Sequence, residues 1–456
     1  MSGPSDRSSR RRFIQGSVSA AALLASAGCA DTNKSAASNA PASLSVAKHA
    51  TTSPAEKLNL AFVGVDGKGG DALHQFGSTN CNYVALCDID SNKLGKAAAA
   101  HQGARAYIDF RKMLEQKDID AVVISTTDHT HAVIAMAAMQ LGKHVYCEKP
   151  LTHDIYEARL LTEAARKYKV ATQMGNQGHA TDGSRRQVEW MQSGQLGTIK
   201  SVHVWTDRPI WPQGVKRPTE TPKAPDHIAW DLWLGPAPER PFHPGYLPND
   251  WRGWWDFGTG ALGDMACHIM DTAYWALDLR DPISVEAQSE GGTSESPPLW
   301  SIIRYEFPAT KARPALSMTW YDGKKKPPAE LTGGKESPEG NGVLIVGEKA
   351  TMFAPYTQMP SLIDGEKHTS FKAPTTTLAS SIGHFQEFVL AAKGGPRAGS
   401  NFDYAGPLTE TVLLGNLAVR SGKKIEWDAR SMTCRNVPDA NQYVRREYRK
   451  GWSLGM

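Results

Sequence analysis

The sequence predicts an α/β chain whose N-terminal half is a doubly wound parallel sheet. Three observations predict it. Short apolar runs recur at lengths that suit buried strands. Helix-like stretches separate them, as crossovers between parallel strands require. The first run opens into a cluster of glycines, and the second closes on an acid.

The elements follow in order. Leu58–Gly64 is the first strand. Gly64, Gly67, Gly69 and Gly70 come next, with a helical stretch to about residue 77. Tyr83–Asp88 is the second strand, and Asp88 stands 24 positions after Gly64. Ala121–Thr126 is a strand, His131–Leu141 a helix, His144–Cys147 a strand, Asp154–Tyr168 a helix and Val170–Met174 a closing strand. This is the Rossmann pattern. Its glycines let the backbone approach a pyrophosphate at a helix N-terminus, and its acid accepts hydrogen bonds from ribose hydroxyls. Gly64, Gly67, Lys68, Gly69 and Asp88 are therefore candidate cofactor contacts. The motif departs from G-x-G-x-x-G because residue 66 is Asp, so Gly67 is expected to take the close-approach role. A carboxylate at position 88 repels a 2′-phosphate, which favours NAD over NADP.

Glu148-Lys149-Pro150 follows the fourth long strand, and Thr126-Thr127-Asp128-His129-Thr130-His131 lies upstream. Gly263–His268 carries a D-x-x-x-H element, with Asp264 and His268 four apart in a stretch that reads as a helix through Trp275. Together these segments resemble the Gfo/Idh/MocA oxidoreductase family, well over residues 58–176 and at motifs beyond them. The resemblance implies an NAD-binding domain at 58–176. It implies a substrate and oligomerisation α+β domain at 177–456, with a large open, mainly antiparallel sheet. Strand candidates there are Ile199–Thr206, Ile283–Gln288, Trp300–Phe307, Ala315–Tyr321 and Val343–Val346. A homo-oligomer, dimer or tetramer, is implied as well.

The chemistry of the motif residues agrees with that resemblance. Lys149 ends a parallel strand, where open α/β sheets bind ligands, and can donate to a substrate hydroxyl. Asp264 and His268 share one helix face. His268 can take the hydroxyl proton as hydride leaves the carbon, while Asp264 orients it or holds a second hydroxyl. Thr126, His131, Glu148 and Gln177 join Lys149 as expected cofactor neighbours. Residues 205–255 hold seven of the thirteen Trp. Aromatic faces stack on sugar C–H groups, so Arg252, Trp254 and Trp255, which lead toward Asp264, are substrate candidates together with His179. His129 and His131 show no third ligand, and no C-x-x-C pair is present, so no metal is expected.

Composition narrows the function further. The chain has 456 residues and a net charge of +4, of which +3 lies in residues 1–28 (Arg7, Arg10, Arg11 and Arg12 against Asp6). The remainder is nearly neutral and offers no basic face for nucleic acid. No uninterrupted apolar run approaches the ~20 residues that span a bilayer. Ser9–Gln15 resembles a twin-arginine export signal ahead of a short apolar stretch, so residues 1–28 are expected to direct export to the periplasm. Cleavage at Ala25-Ser26-Ala27 would leave a soluble protein, whereas a lipid on Cys29 would anchor it. Residues 29–57 read as a flexible linker. A twin-arginine substrate folds before export, so its fold should not depend on disulfides, and Cys87 and Cys147 read as buried thiols. The expected function is an exported oxidoreductase with tightly held NAD, acting on a sugar, sugar derivative or polyol. The alternatives are an NAD-dependent glycoside hydrolase working through transient oxidation, and an inactive binding protein.

Overall fold

The computed structural model describes residues 56–455 apart from 335, 336, 338 and 339. The export signal, Cys29 and nearly all of the linker lie outside the described residues. The strands and helices run β1 Asn59–Val63, α1 Lys68–Phe76, β2 Asn82–Cys87, α2 Ser91–Ala100, β3 Arg105–Tyr107, α3 Phe110–Met113, β4 Ala121–Ile124, α4 Asp128–Gln140, β5 His144–Glu148, α5 Ile155–Tyr168 and β6 Thr172–Gly175. The second half continues with α6 Asp182–Gln192, β7 Ile199–Trp205, α7 Trp230–Leu234, α8 Gly260–Ile269, α9 Asp271–Leu277, β8 Ser284–Glu290, β9 Trp300–Phe307, β10 Leu316–Tyr321, β11 Gly342–Gly347 and β12 Thr351–Pro355. It ends with β13 Ser361–Leu362, α10 His384–Ala392, α11 Phe402–Ser421, β14 Ile425–Asp428 and β15 Thr433–Cys434.

The first sheet is parallel, in the order β3-β2-β1-β4-β5-β6. The alternation in β1 shows why it is buried on both faces. Ala61 and Val63 point into the layer of α4 and α5, while Leu60 and Phe62 point into that of α1. The chain reverses direction between β1 and β4, the switch point at which such sheets open a crevice at their carboxyl ends.

The second sheet has nine strands in the order β13-β12-β11-β7-β10-β9-β8-β14-β15. Only β7 and β10 pair in parallel; the other named pairs are antiparallel. Its inner face packs Val202, Ile303, Tyr305 and Met318 beneath α11, represented by Phe402, Leu408 and Val412.

Several features differ from the sequence reading. The helix expected through Trp275 is divided at Met270, which still keeps helical dihedrals (φ −68, ψ −21). Segments beyond residue 177 also pack on the first sheet. Phe388 and Val389 of α10 return to the first sheet and pack with Leu60, Phe62 and Phe76. Residues 227–229 cross the first sheet's edge loop, with Ser91 N donating to His227 O (2.8 Å) and Ala229 N to Ile89 O (2.9 Å). Among the described residues all five cysteines are free, and Cys87 and Cys147 are buried.

Candidate active site

Every motif of the first half ends at the same edge of the sheet. Gly64 follows β1, Asp88 follows β2, Thr126 follows β4, Lys149 follows β5 and Gln177 follows β6. A cavity of ≈ 470 Å³ opens there, lined by Gly64, Gly67, Lys68, Asp88 and Thr126. The shifted glycine motif works geometrically. Gly64 has φ +82, and a Cβ on it would stand 2.5 Å from the Ser125 carbonyl oxygen. Gly69 lets α1 close on β1, since its Cβ would fall 2.1 Å from Gly64 O. Gly67 has φ +52 and nothing within 4 Å of its Cβ position, so its backbone faces open space at the start of α1.

Asp88 is held in place by two backbone donors: Val65 N reaches Oδ2 (3.0 Å) and Asp90 N reaches Oδ1 (2.9 Å). Each carboxylate oxygen keeps a further lone pair for a ribose hydroxyl. Burial pushes this carboxyl above the usual range. Beside it in the wall is Lys93, whose Nζ is 3.0 Å from Asp66 Oδ2. The Asp that interrupts the glycine motif is thus a counter-ion. Gly64, Gly67, the α1 N-terminus and Asp88 together fit a dinucleotide, whose nicotinamide, when bound, supplies hydride chemistry.

The chemical centre adjoins this cavity. Lys149 Nζ donates to Asp264 Oδ1 (2.6 Å) and to the Asp264 carbonyl oxygen (2.8 Å). Arg252 Nε donates to the same Oδ1 (3.1 Å). Arg252 also lines the cavity and lies over the Trp251 ring, 4.2 Å from its centroid. It connects the cavity wall to the Lys149–Asp264 pair behind it. The Lys149–Pro150 peptide is cis. Burial alone would raise the Asp264 pKa, but the Lys149 and Arg252 cations outweigh it and hold the carboxyl well below the usual range. His268, one turn on, has its pKa pushed down to about 3 by burial and by the Lys149 cation, so the resting imidazole is neutral. Its Nδ1 lies 3.1 Å from the Tyr356 hydroxyl.

The other expected site residues sit less directly. Glu148 is buried beneath the centre, with Oε1 accepting from Gln177 Nε2 (2.9 Å), and burial raises its pKa. His131 has both ring nitrogens on backbone carbonyls, Pro150 O (2.8 Å) and Thr126 O (3.2 Å), so it holds the two strand ends together. His129 likewise faces Phe257 O and Trp233 O. Among the described residues no group of three or more His, Cys, Asp or Glu could hold a metal ion.

Three substrate candidates are corrected by the structure. His179 is buried, with Nδ1 2.9 Å from Asp271 Oδ2 and its ring stacked on Trp275. Trp254 is a core residue whose Nε1 donates to Gly245 O (3.1 Å). Trp255 donates to Thr293 O (3.2 Å) and faces Arg420. Trp254 is drawn inward because its Trp-rich segment forms its own small core with Trp233, Tyr246, Trp251 and Phe257, whereas His179 and Trp255 are held by the partners just named. Trp251 rather than Trp254 or Trp255 reaches the cavity.

Sequence reasoning also passed over a buried carboxyl. Asp128 opens α4 and accepts from Thr259 Oγ1 (2.7 Å) at the start of α8. Burial pushes its pKa up to about 7, partly opposed by that hydrogen bond and by Arg252 and Lys149. It lies inside the quoted Thr126–His131 motif, but no spacing rule marks it.

Two regions of the chain match oxidoreductase family domains. Residues 58–176 match the NAD-binding Rossmann fold and residues 205–454 the C-terminal α/β domain. The chain belongs to the Gfo/Idh/MocA oxidoreductase family. Among curated relatives, an inositol 2-dehydrogenase of Salmonella paratyphi B is 31% identical over 153 residues, 32% of this chain and 45% of the relative. A levoglucosan dehydrogenase of Pseudarthrobacter phenanthrenivorans is 27% identical over 169 residues, 37% of this chain and 36% of the relative. The match thus spans less than half the length of these curated relatives. The fold extends further. The WlbA dehydrogenase of Bordetella pertussis, solved with NADH and UDP-GlcNAcA, aligns at TM-score 0.59 and 17% identity over 82% of this chain and 99% of that one.

Proposed function

We propose that this Gfo/Idh/MocA protein is an exported, NAD-dependent oxidoreductase that moves hydride between the carbinol carbon of a sugar, sugar derivative or polyol and a tightly held nicotinamide. The observation that carries the reading is the Lys149–Asp264–Arg252 network beside His268, joined through Arg252 to the wall of the cavity that Gly64, Gly67 and Asp88 line. Lys149 and Arg252 together offer several donors for neighbouring hydroxyls, which suits a polyhydroxylated substrate. Neutral His268 can receive the hydroxyl proton at its free ring nitrogen. Asp264 keeps both cations aligned and favours the imidazolium as it forms. The curated relatives act, by name, on inositol and levoglucosan, which are polyhydroxylated rings.

Retention of the cofactor is part of the proposal. Ile228, between the two strap hydrogen bonds to Ile89 and Ser91, lines the cavity together with Trp452 of the C-terminal segment. Both would flank an adenosine bound there and slow its exit. The Ser9–Gln15 motif supports export, and a protein sent beyond the cytoplasmic pool gains from carrying its NAD along. A lipid on Cys29, and a dimer or tetramer, belong to the same proposal. A glycoside hydrolase using transient oxidation remains the second reading, favoured by 30% identity over 169 residues to a glycosyl hydrolase family 109 protein of Shewanella amazonensis.

The test is direct. The purified protein is gel-filtered, denatured and assayed for nicotinamide, and the native holoenzyme is incubated with a panel of sugars, polyols and glycosides. Product masses two units below the substrate mark oxidation, and released aglycone marks hydrolysis. Nicotinamide-free protein that works only with added NAD would overturn the retained-cofactor reading. No conversion of any polyhydroxylated compound, tested singly and in pairs so that one can take the hydride from another, would overturn the substrate class.

A further inference from the structure

The turn that joins β12 to its antiparallel partner β13 contains a strained residue. Thr357, a β-branched residue, holds φ +61, a conformation such residues rarely adopt and one that concentrates at functional sites. The turn is closed by Gln358 N donating to Pro355 O (3.1 Å). The buried Gln187 amide ties both of its ends, donating to Pro355 O (2.6 Å) and Gln358 O (2.8 Å). Gln187 Oε1 in turn accepts from Thr272 Oγ1 on α9 (3.0 Å). Gly183 leaves room for the turn, since a Cβ there would stand 2.1 Å from Thr357 O.

What this turn presents is Tyr356. Its ring lies so close to Gly178 that a Cβ there would come within 2.7 Å of Cε2 and 2.8 Å of Oη. Its hydroxyl stands 3.1 Å from His268 Nδ1. Three separate segments therefore converge to put one hydroxyl on one ring nitrogen: the β12 turn, the loop after β6, and α8.

We propose that Tyr356 is a positioning residue for His268, holding Nδ1 so that a single tautomer is kept and Nε2 is the nitrogen that exchanges the substrate's proton. A phenolic hydroxyl can both donate and accept. In the resting enzyme it accepts from Nδ1–H, which leaves Nε2 bare to take the substrate's proton. It also accepts from Nδ1–H once the imidazolium has formed. The contact thus follows the ring through proton transfer without a change of partner. Burial holds His268 neutral, which leaves the choice of tautomer to its one hydrogen-bond partner among the described residues. This inference rests on the proton-transfer role proposed for His268.

The experiment uses full-length holoenzyme carrying ¹⁵N-labelled histidine, with H268Q to assign the ring signals. Y356F removes the hydroxyl and keeps the ring, while G178A keeps the hydroxyl and displaces it. Wild type should show one neutral tautomer for His268. Both variants, folded by thermal melting, should shift its ring ¹⁵N signals toward the average of the two tautomers. Turnover should fall about tenfold, the worth of one interior hydrogen bond, with KM unchanged. Ring signals identical in wild type and in either folded variant would overturn the proposal. The spectra need no substrate, so they test the contact independently of the reaction. Turnover that survives H268Q would overturn the proton-transfer reading itself, whatever the spectra show.

Discussion

Lys149 and Asp264 meet at 2.6 Å although they are 115 positions apart, one at the end of β5 and the other on α8. The pair is nearly buried, with side chains 12% and 11% exposed. It joins the two halves of the chain. Arg252 adds a second cation to the same carboxylate oxygen.

Removing the amine should separate chemistry from cofactor binding. Lys149→Ala is expected to keep its NAD, because the glycine turn and Asp88 remain. It should lose about 10²–10⁴-fold in turnover, the usual worth of a positioned proton-transfer partner. Bound nicotinamide and steady-state rates on the same preparation check both halves. Turnover within a few-fold of wild type would remove Lys149 from the mechanism.

Removing the carboxylate should cost stability as well. Asp264→Asn leaves Lys149 and Arg252 facing each other with no counter-charge. Breaking a buried pair in this way costs about 3–5 kcal/mol. Urea denaturation of the two proteins reads the difference. The acid limb is also defined. The folded pKa of Asp264 is depressed, so its stabilising contribution is present above about pH 4 and is lost as pH falls through the folded value.

Asp128 carries the opposite sign. Its pKa is raised to about 7, against about 4 in an unfolded chain. The folded state therefore binds the extra proton between those values, and stability falls as pH rises through that window. Asp128→Asn, which keeps an acceptor for Thr259, should remove this slope. Melting temperatures from pH 4 to 7 should gain on wild type as pH rises. Parallel curves would mean that Asp128 is already ionised.

The cofactor end offers a specificity test. Asp88→Ala removes the carboxylate expected to meet the ribose, while Lys93 remains in the same wall, already 3.0 Å from Asp66. Discrimination against NADP should relax, and Asp66→Ala added to it should relax it further by freeing Lys93. Binding of each cofactor to refolded apoprotein measures this. Unchanged preference would locate the ribose contact elsewhere.

The strap makes a kinetic prediction. Ile228→Gly removes a side chain from the cavity wall and loosens the segment held by Ser91 N and Ala229 N. The variant should lose NAD severalfold faster on repeated gel filtration, with turnover at saturating NAD preserved. Equal retention would mean that the strap does not limit release.

Much of the first sheet was legible because its signals are local. A strand buried on both faces must be an unbroken apolar run, and a tight turn onto a helix must use glycine, so β1, β2, β4 and β5 could be read within a few residues of their ends. Lys149, Asp264 and His268 were legible as motif residues. The tertiary structure alone decided which side chains face the cavity. Trp251, Trp254 and Trp255 occupy one short segment, yet of the three only Trp251 lines the cavity, while the indole N–H of Trp254 is held by Gly245 O and that of Trp255 by Thr293 O. Tyr356 carried no signal, and Asp128 only its place in the Thr126–His131 motif. Their roles arise from partners 88 and 131 positions away, His268 and Thr259. Periodicity and spacing report what a residue does to its own element, whereas desolvation and cross-element hydrogen bonds exist only once the chain has closed on itself.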